Sequence, residues 1–177
     1  MVKGQVCPEH RVRSSPYDVT ATINEKEEKV ENVQCHDCPA STEEQVLKVL
    51  ERNLGQKLER CGLKLSANFP IFGASPDGIG YDFVVEIKCP STDKGFKTFL
   101  PNGQINLKCK AQICLQMLFC NFKKGLFCVA KPTFEKDEAV ETLWVSYDEE
   151  FTIHLINESL HFWKKNIFNK LLDSVMK

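Results

Sequence analysis

Long apolar runs are missing from this 177-residue chain. Nothing approaches the roughly 20 consecutive apolar residues of a membrane span, and Met1-Val2-Lys3-Gly4 has no apolar stretch of the signal-peptide kind. A membrane-spanning or exported protein is therefore not expected, and the nucleus or cytoplasm is the expected compartment. Net charge is missing too. Lys and Arg total 23 against 24 Asp and Glu, a formal charge of -1, so global electrostatics does not argue for a nucleic-acid partner. Internal repeats and low-complexity tracts are absent. Histidine is scarce, with only His10, His36, His154 and His161.

Cysteine is abundant, but its nine copies are an odd number, and most stand singly in apolar surroundings such as Ile113-Cys114-Leu115 and Phe127-Cys128-Val129. That usage fits reduced core thiols of an intracellular protein rather than a disulfide framework. With 42% hydrophobic residues the chain can bury a real core. Its charges are unevenly spread. From Lys88 to Lys131 there are eight lysines, at 88, 94, 97, 108, 110, 123, 124 and 131, against one acid, Asp93. Such a segment is either a solvated face or the rim of an anion-binding groove.

The pattern along the chain is α+β, a mixed sheet flanked by helices. Residues 1–40 are polar and form a separate N-terminal region in which Tyr17 to Ile23 alternates as a strand and Val30 to Gln34 returns against it as a hairpin. From residue 41 to the end the chain reads as one domain. Ser41-Thr42-Glu43-Glu44 opens a helix to Asn53, with Val46, Leu47, Val49, Leu50 and Leu54 as its apolar stripe. Strands are expected at Lys57 to Ser66, Phe69 to Gly73, Phe83 to Cys89, Leu126 to Ala130 and Thr142 to Tyr147. Leu107 to Phe122 reads as a helix, and a single long helix is expected from Glu149 to Met176, with Ile153, Ile156, Leu160, Trp163, Ile167 and Leu171 on one face.

The chemistry concentrates between Gly73 and Pro90. Asp77 sits in a Pro76-Asp77-Gly78 turn at the mouth of a strand. Glu86 and Lys88 are two apart on the following strand, so both leave one face while Val85, Ile87 and Cys89 leave the other. An otherwise apolar strand carrying two charges on one face must pair them or give them a metal. No histidine is near, which disfavours a histidine-based hydrolase. Two carboxylates and a lysine suit a hard divalent cation and a phosphodiester.

The stretches Cys61-Gly62-Leu63, Phe72-Gly73-Ala74-Ser75-Pro76-Asp77-Gly78-Ile79, Val85-Glu86-Ile87-Lys88-Cys89-Pro90-Ser91, Ala111-Gln112 and Gln116-Met117 extend the motif. Together, over roughly Glu43 to Tyr147, they resemble the YqaJ-like family of viral recombinase nucleases, which includes the lambda phage exonuclease, within the PD-(D/E)xK group. The resemblance implies a restriction-endonuclease-like core and a Mg2+- or Mn2+-dependent DNA nuclease, in first place a 5'-3' exonuclease on duplex DNA. An endonuclease and a non-catalytic nucleic-acid-binding module on the same fold are the alternatives. It makes Asp77 and Glu86 metal ligands, with the Ile87 carbonyl completing the protein share, and gives Lys88 the task of orienting or helping to deprotonate water. It matches Gln112 to the active-site glutamine and Glu43 to an additional acid, with Glu44 as the other possibility for that acid. Ser75, Lys108, Lys110 and Gln116 are the expected DNA contacts, Lys108, Gln112 and Gln116 sharing a helix face.

The first forty residues depart from the family, whose helical N-terminal region builds a 5'-phosphate pocket; this leaves end recognition and any homo-oligomer open. Cys7, His10, Cys35 and Cys38 have ligand-like spacing for a structural zinc, the segment Tyr17 to Ser41 resembles the first half of a SWIM-type zinc finger, and unliganded thiols are the third reading.

Overall fold

In a computed structural model, the described residues are 2–6, 17–24, 29–35 and 40–175, with side chains described from 42 to 172. The chain divides into two compact units, Met1–Gln45 and Val46–Lys177. In the first, β1 (Val2–Val6), β2 (Tyr17–Asn24) and β3 (Lys29–Cys35) form an antiparallel sheet in that order. The hairpin expected from residue alternation is the β2–β3 pair; β1 had no such signal. The zinc reading lies outside the described residues, since Cys7, His10 and Cys38 are not among them and Cys35 is described by its backbone alone.

The boundary falls inside α1 (Ala40–Leu54). The second unit is built on a four-stranded sheet in the order β6 (Gly78–Ile79), β7 (Phe83–Lys88), β8 (Lys124–Ala130) and β9 (Val140–Ser146). The β7–β8 pair is parallel and its two neighbours antiparallel, so the sheet is mixed as expected. A parallel pair needs a long crossover. Here α2 (Asp93–Phe99), a 3-10 turn at Pro101–Gly103 and α3 (Leu107–Cys120) supply it.

Alternation along the central strands splits the core into two layers. Phe83, Val85 and Ile87 of β7 and Leu126, Cys128 and Ala130 of β8 pack with Val46, Leu47, Val49 and Leu50 of α1. Val84, Phe127 and Val129 face the other way, onto Cys109, Ile113, Cys114 and Met117 of α3. Near-continuous apolar strands of this kind are what burial on both faces demands. The ends of α3 are set locally: the Asn106 side chain accepts from the Cys109 amide at 2.7 Å, and Asn121 takes the left-handed conformation, φ 56°, past the last turn.

The helix α3 approaches the sheet over Gly125, where an added Cβ would lie 2.7 Å from Cδ1 and 2.8 Å from Cγ1 of fully buried Ile113. Gly125→Ala is therefore expected to destabilise the protein by about 1–3 kcal/mol through overpacking. Thermal unfolding checks this, and an unchanged Tm would mean that Ile113 yields without strain.

Two expectations need correcting. Continuous strands over 57–66 and 69–73 are absent. That segment is largely irregular and contributes only β4 (Lys64–Leu65) paired with β5 (Gly73–Ala74), plus a bridge from Glu59 to Ile79. Leu63 and Leu65 point to solvent and Pro70 has no backbone N–H, so the segment has neither a buried face nor a full ladder to hold longer pairs. The expected long terminal helix is continuous from Glu149 to Val175, as α5 (Glu149–Trp163), one π-turn at Lys164–Phe168 and α6 (Asn169–Val175), with right-handed helical dihedrals at both junctions. The wider turn brings Trp163 and Phe168 into ring contact at 5.2 Å. Ile153 and Leu171 do not share the buried face with Ile156; both are about half exposed. Helix α4 (Phe134–Asp137), a single turn between β8 and β9, carried no periodic signal. The six cysteines whose side chains are described form no disulfide. No described helix is long and apolar enough to cross a membrane.

Candidate active site

Asp77 follows directly from its turn. Its backbone amide donates to the Val85 carbonyl at 3.0 Å, and its Oδ2 accepts the Ile87 amide at 2.6 Å. These two bonds fix the carboxylate beside the middle of β7 in addition to the antiparallel pairing of Gly78 with Val85. Gly78 is closely approached, since an added Cβ would meet Leu47 Cδ1 at 3.0 Å. The turn thus presents an acid while its backbone is packed from behind.

Glu86 and Lys88 share the α3 face of β7, as alternation requires. Glu86 is only 1% exposed, and its Oε1 pairs with the Lys88 ammonium. Its Oε2 accepts from Gln116 Nε2 at 2.6 Å. The same nitrogen lies 3.3 Å from the Ser75 carbonyl, two residues before Asp77. One amide group on α3 therefore touches both the strand and the turn that carry the two acids.

The electrostatics reflect this crowding. Burial, then the Glu86 charge, pushes the Asp77 carboxyl up to about 7, against the opposing pull of the Ile87 amide and Lys88. For Lys88 burial works against the charged form, but the Glu86 charge and hydrogen bond outweigh it, so the ammonium is held above its ordinary range. As it stands beside Glu86, Lys88 is a cation at neutral pH, suited to orienting and stabilising negative charge.

The expected residues distribute unevenly around this centre. Asp77, Glu86 and Lys88 come together, and Gln116, expected on a DNA-contacting face, is instead 1% exposed and bonded to Glu86. Gln112, one turn earlier on α3, is half-buried. Ser75 is exposed and reaches the centre through its backbone carbonyl. Lys108 is exposed, whereas Lys110 pairs with Asp148 at 2.7 Å and lies over the Phe151 ring at 4.6 Å. Four of the eight clustered lysines are in ion pairs: Lys88, Lys110, Lys124 with Asp82, and Lys131 with Glu141. Lys94, Lys97 and Lys108 are exposed and make no ion pair among the described residues. Glu43 is half-exposed in the first turn of α1, one helical turn ahead of Leu47. The importance of Gln116 had one available signal: it is the lone polar residue in the run Ile113 to Phe119.

Among the described residues no group of three or more His, Cys, Asp or Glu side chains is disposed to hold a metal ion. The donor set nonetheless suits a hard cation. Asp77 and Glu86 are close enough to repel each other, and the Gln116 Oε1 atom, on the amide that touches Glu86, is buried without a hydrogen-bond partner. Clustered oxygen donors, two of them carboxylates that repel each other, are what Mg2+ or Mn2+ prefers.

No family model matches the sequence, and no curated protein matches it significantly. Solved structures do resemble it in three dimensions. An alkaline exonuclease from Laribacter hongkongensis superposes with a TM-score of 0.65 at 20% identity, covering 77% of this chain and 72% of that one. The same exonuclease in complex with dAMP gives a TM-score of 0.57 at 20% identity over 71% of this chain and 70% of that one. A phage-related exonuclease from Haemophilus somnus 129PT gives 0.57 at 14% identity over 78% and 72%. With its mixed sheet flanked by helices, the chain has the fold of these exonucleases.

Proposed function

We propose that this protein is a divalent-metal-dependent deoxyribonuclease, a lambda-exonuclease-like enzyme that hydrolyses phosphodiester bonds from the 5' end of duplex DNA. The observation that carries the proposal is a buried carboxylate, Glu86, shared between Lys88 and Gln116 and set beside Asp77, on an exonuclease fold.

Asp77 and Glu86, with the Ile87 carbonyl, would hold Mg2+ or Mn2+. When bound, such a cation neutralises charge on the scissile phosphate and lowers the pKa of coordinated water. Lys88 keeps its proton and supplies a fixed positive charge facing the developing negative charge of the phosphate. Gln112 is the proposed polar contact for water or phosphate one turn along α3. Glu43 is proposed as a further acid on the strength of the family resemblance. Ser75 and the exposed Lys108, joined by Lys94 and Lys97, would meet the DNA backbone, giving salt-dependent and sequence-independent affinity. Lys110 can join them only by leaving Asp148.

Digestion assays on linear duplex DNA test this directly. Linear DNA carrying a 5'-phosphate is expected to be degraded in Mg2+ or Mn2+ and to survive in EDTA, while covalently closed circles persist. Cleavage of closed circles would instead assign an endonuclease. Salt-sensitive DNA binding with no cleavage in either metal would leave a non-catalytic binding module on the nuclease fold.

A further inference from the structure

Gln116 stands out among the side chains of this unit as a fully buried amide, and both of its N–H groups are committed. The Nε2 atom donates to a carboxylate oxygen of Glu86 at 2.6 Å and lies 3.3 Å from the Ser75 carbonyl. The reverse orientation of the amide would set its oxygen against two acceptors, so the hydrogen-bond network fixes which end faces Glu86. Each oxygen of Glu86 then has one donor, Lys88 on Oε1 and Gln116 on Oε2. The Ser75 carbonyl belongs to the turn that ends in Asp77, whose own carboxylate is tied back to β7 through the Ile87 amide.

We propose that Gln116 is the positioning residue of the metal site: it clamps Glu86 against the Asp77 turn and so sets the separation and orientation of the two carboxylates. The proposal rests on the nuclease reading above and adds to it a residue that does not touch the substrate. A carboxylate held from only one side can rotate about its last torsion, which is broad for Glu. Held by both Lys88 and Gln116 it cannot. Partners of this kind, one step removed from the metal, typically change affinity or activity by about 10–100-fold when removed. An ordinary buried structural amide would act on stability alone.

The test uses Gln116→Met, which keeps chain length and volume and deletes both donors. Mn2+ binding to the DNA-free protein, measured by calorimetry, is expected to weaken by about 10–100-fold. At saturating Mn2+, kcat on duplex DNA is expected to fall by a similar factor, with KM for DNA changed less than about threefold. In wild-type protein, the Gln116 side-chain amide resonances are expected to be slow to exchange and to shift on adding Mg2+. This NMR measurement decides the matter even where the variant fails to fold. A lowered Tm with unchanged Mn2+ affinity and kcat, or Gln116 resonances unmoved by Mg2+, overturns the positioning role. Wild-type protein that binds Mn2+ but cleaves no DNA would overturn the nuclease reading and leave the clamp intact.

Discussion

Replacing Lys88 with methionine is expected to lower the rate of DNA cleavage by about 10²–10³-fold, the usual effect of removing one fixed charge that stabilises a transition state. The same change should unsettle the fold. The Lys88 ammonium is the cation paired with Glu86, whose carboxylate is 1% exposed. Removing one partner of a buried pair costs about 3–5 kcal/mol, because the other charge is left uncompensated. For a chain of this size that corresponds to a Tm lowered by roughly 10 °C. The contribution of the pair is intact at neutral pH: the folded-state pKa of Lys88 is raised, so its stabilisation is full below the ordinary lysine value and is lost only as pH rises past the raised one. A divalent cation beside Glu86 would replace the missing charge, so Mn2+ should recover part of the lost Tm without recovering cleavage. Thermal unfolding in EDTA and in Mn2+, alongside digestion assays, separates the two effects. Cleavage at the wild-type rate would remove Lys88 from the mechanism.

Asp77→Asn is expected to abolish cleavage and yet make the metal-free protein more stable at pH 8. Burial and the neighbouring Glu86 hold the Asp77 carboxyl at about 7, against an ordinary 3.8. The folded state therefore keeps a proton that the unfolded state has lost. Stability attributable to this group falls as pH climbs from about 4 to 7 and stays low above that. A shift of this size corresponds to at most about 4 kcal/mol. Asparagine carries no charge and can still accept the Ile87 amide, so it escapes the loss. Tm measured in EDTA should decline with pH in the wild type across this window and stay nearly level in Asp77→Asn. Excess Mn2+ should reverse the ranking at pH 8, since only the wild type offers the second carboxylate. Identical curves in EDTA would mean that Asp77 is not strained by Glu86. Carboxyl groups pushed up by burial and a neighbouring like charge concentrate at functional sites, in keeping with the role proposed for Asp77.

Much of this arrangement could be read from residue order. Period-two alternation placed Glu86 and Lys88 on one face of a strand and Val85 and Ile87 on the other, and the two core layers divide along that line. Acids before an apolar stripe marked α1, although the helix begins at Ala40, so Ser41 and Thr42 lie within it and do not cap it, and α3 is bounded by Asn106 and Asn121. Such features depend on neighbours within a turn or a pleat, so local rules reach them. The short pair β4–β5 and the π-turn inside the last helix were not legible, because neither is decided by local periodicity.

The site divides in the same way. The residue types and spacing of Asp77, Glu86 and Lys88 were sufficient to nominate a metal-assisted phosphodiesterase, since a charged pair on an apolar strand has few other uses. Helical spacing put Gln112 and Gln116 on one face of α3 but could not choose between them. That choice rests on where α3 crosses β7, which follows from the parallel β7–β8 pairing and from Ile113 closing onto Gly125, contacts between residues far apart in the chain. The tertiary structure puts Gln116 on Glu86 and leaves Gln112 a turn away, because the crossing point of a helix over a sheet is a property of packing and not of the helix itself.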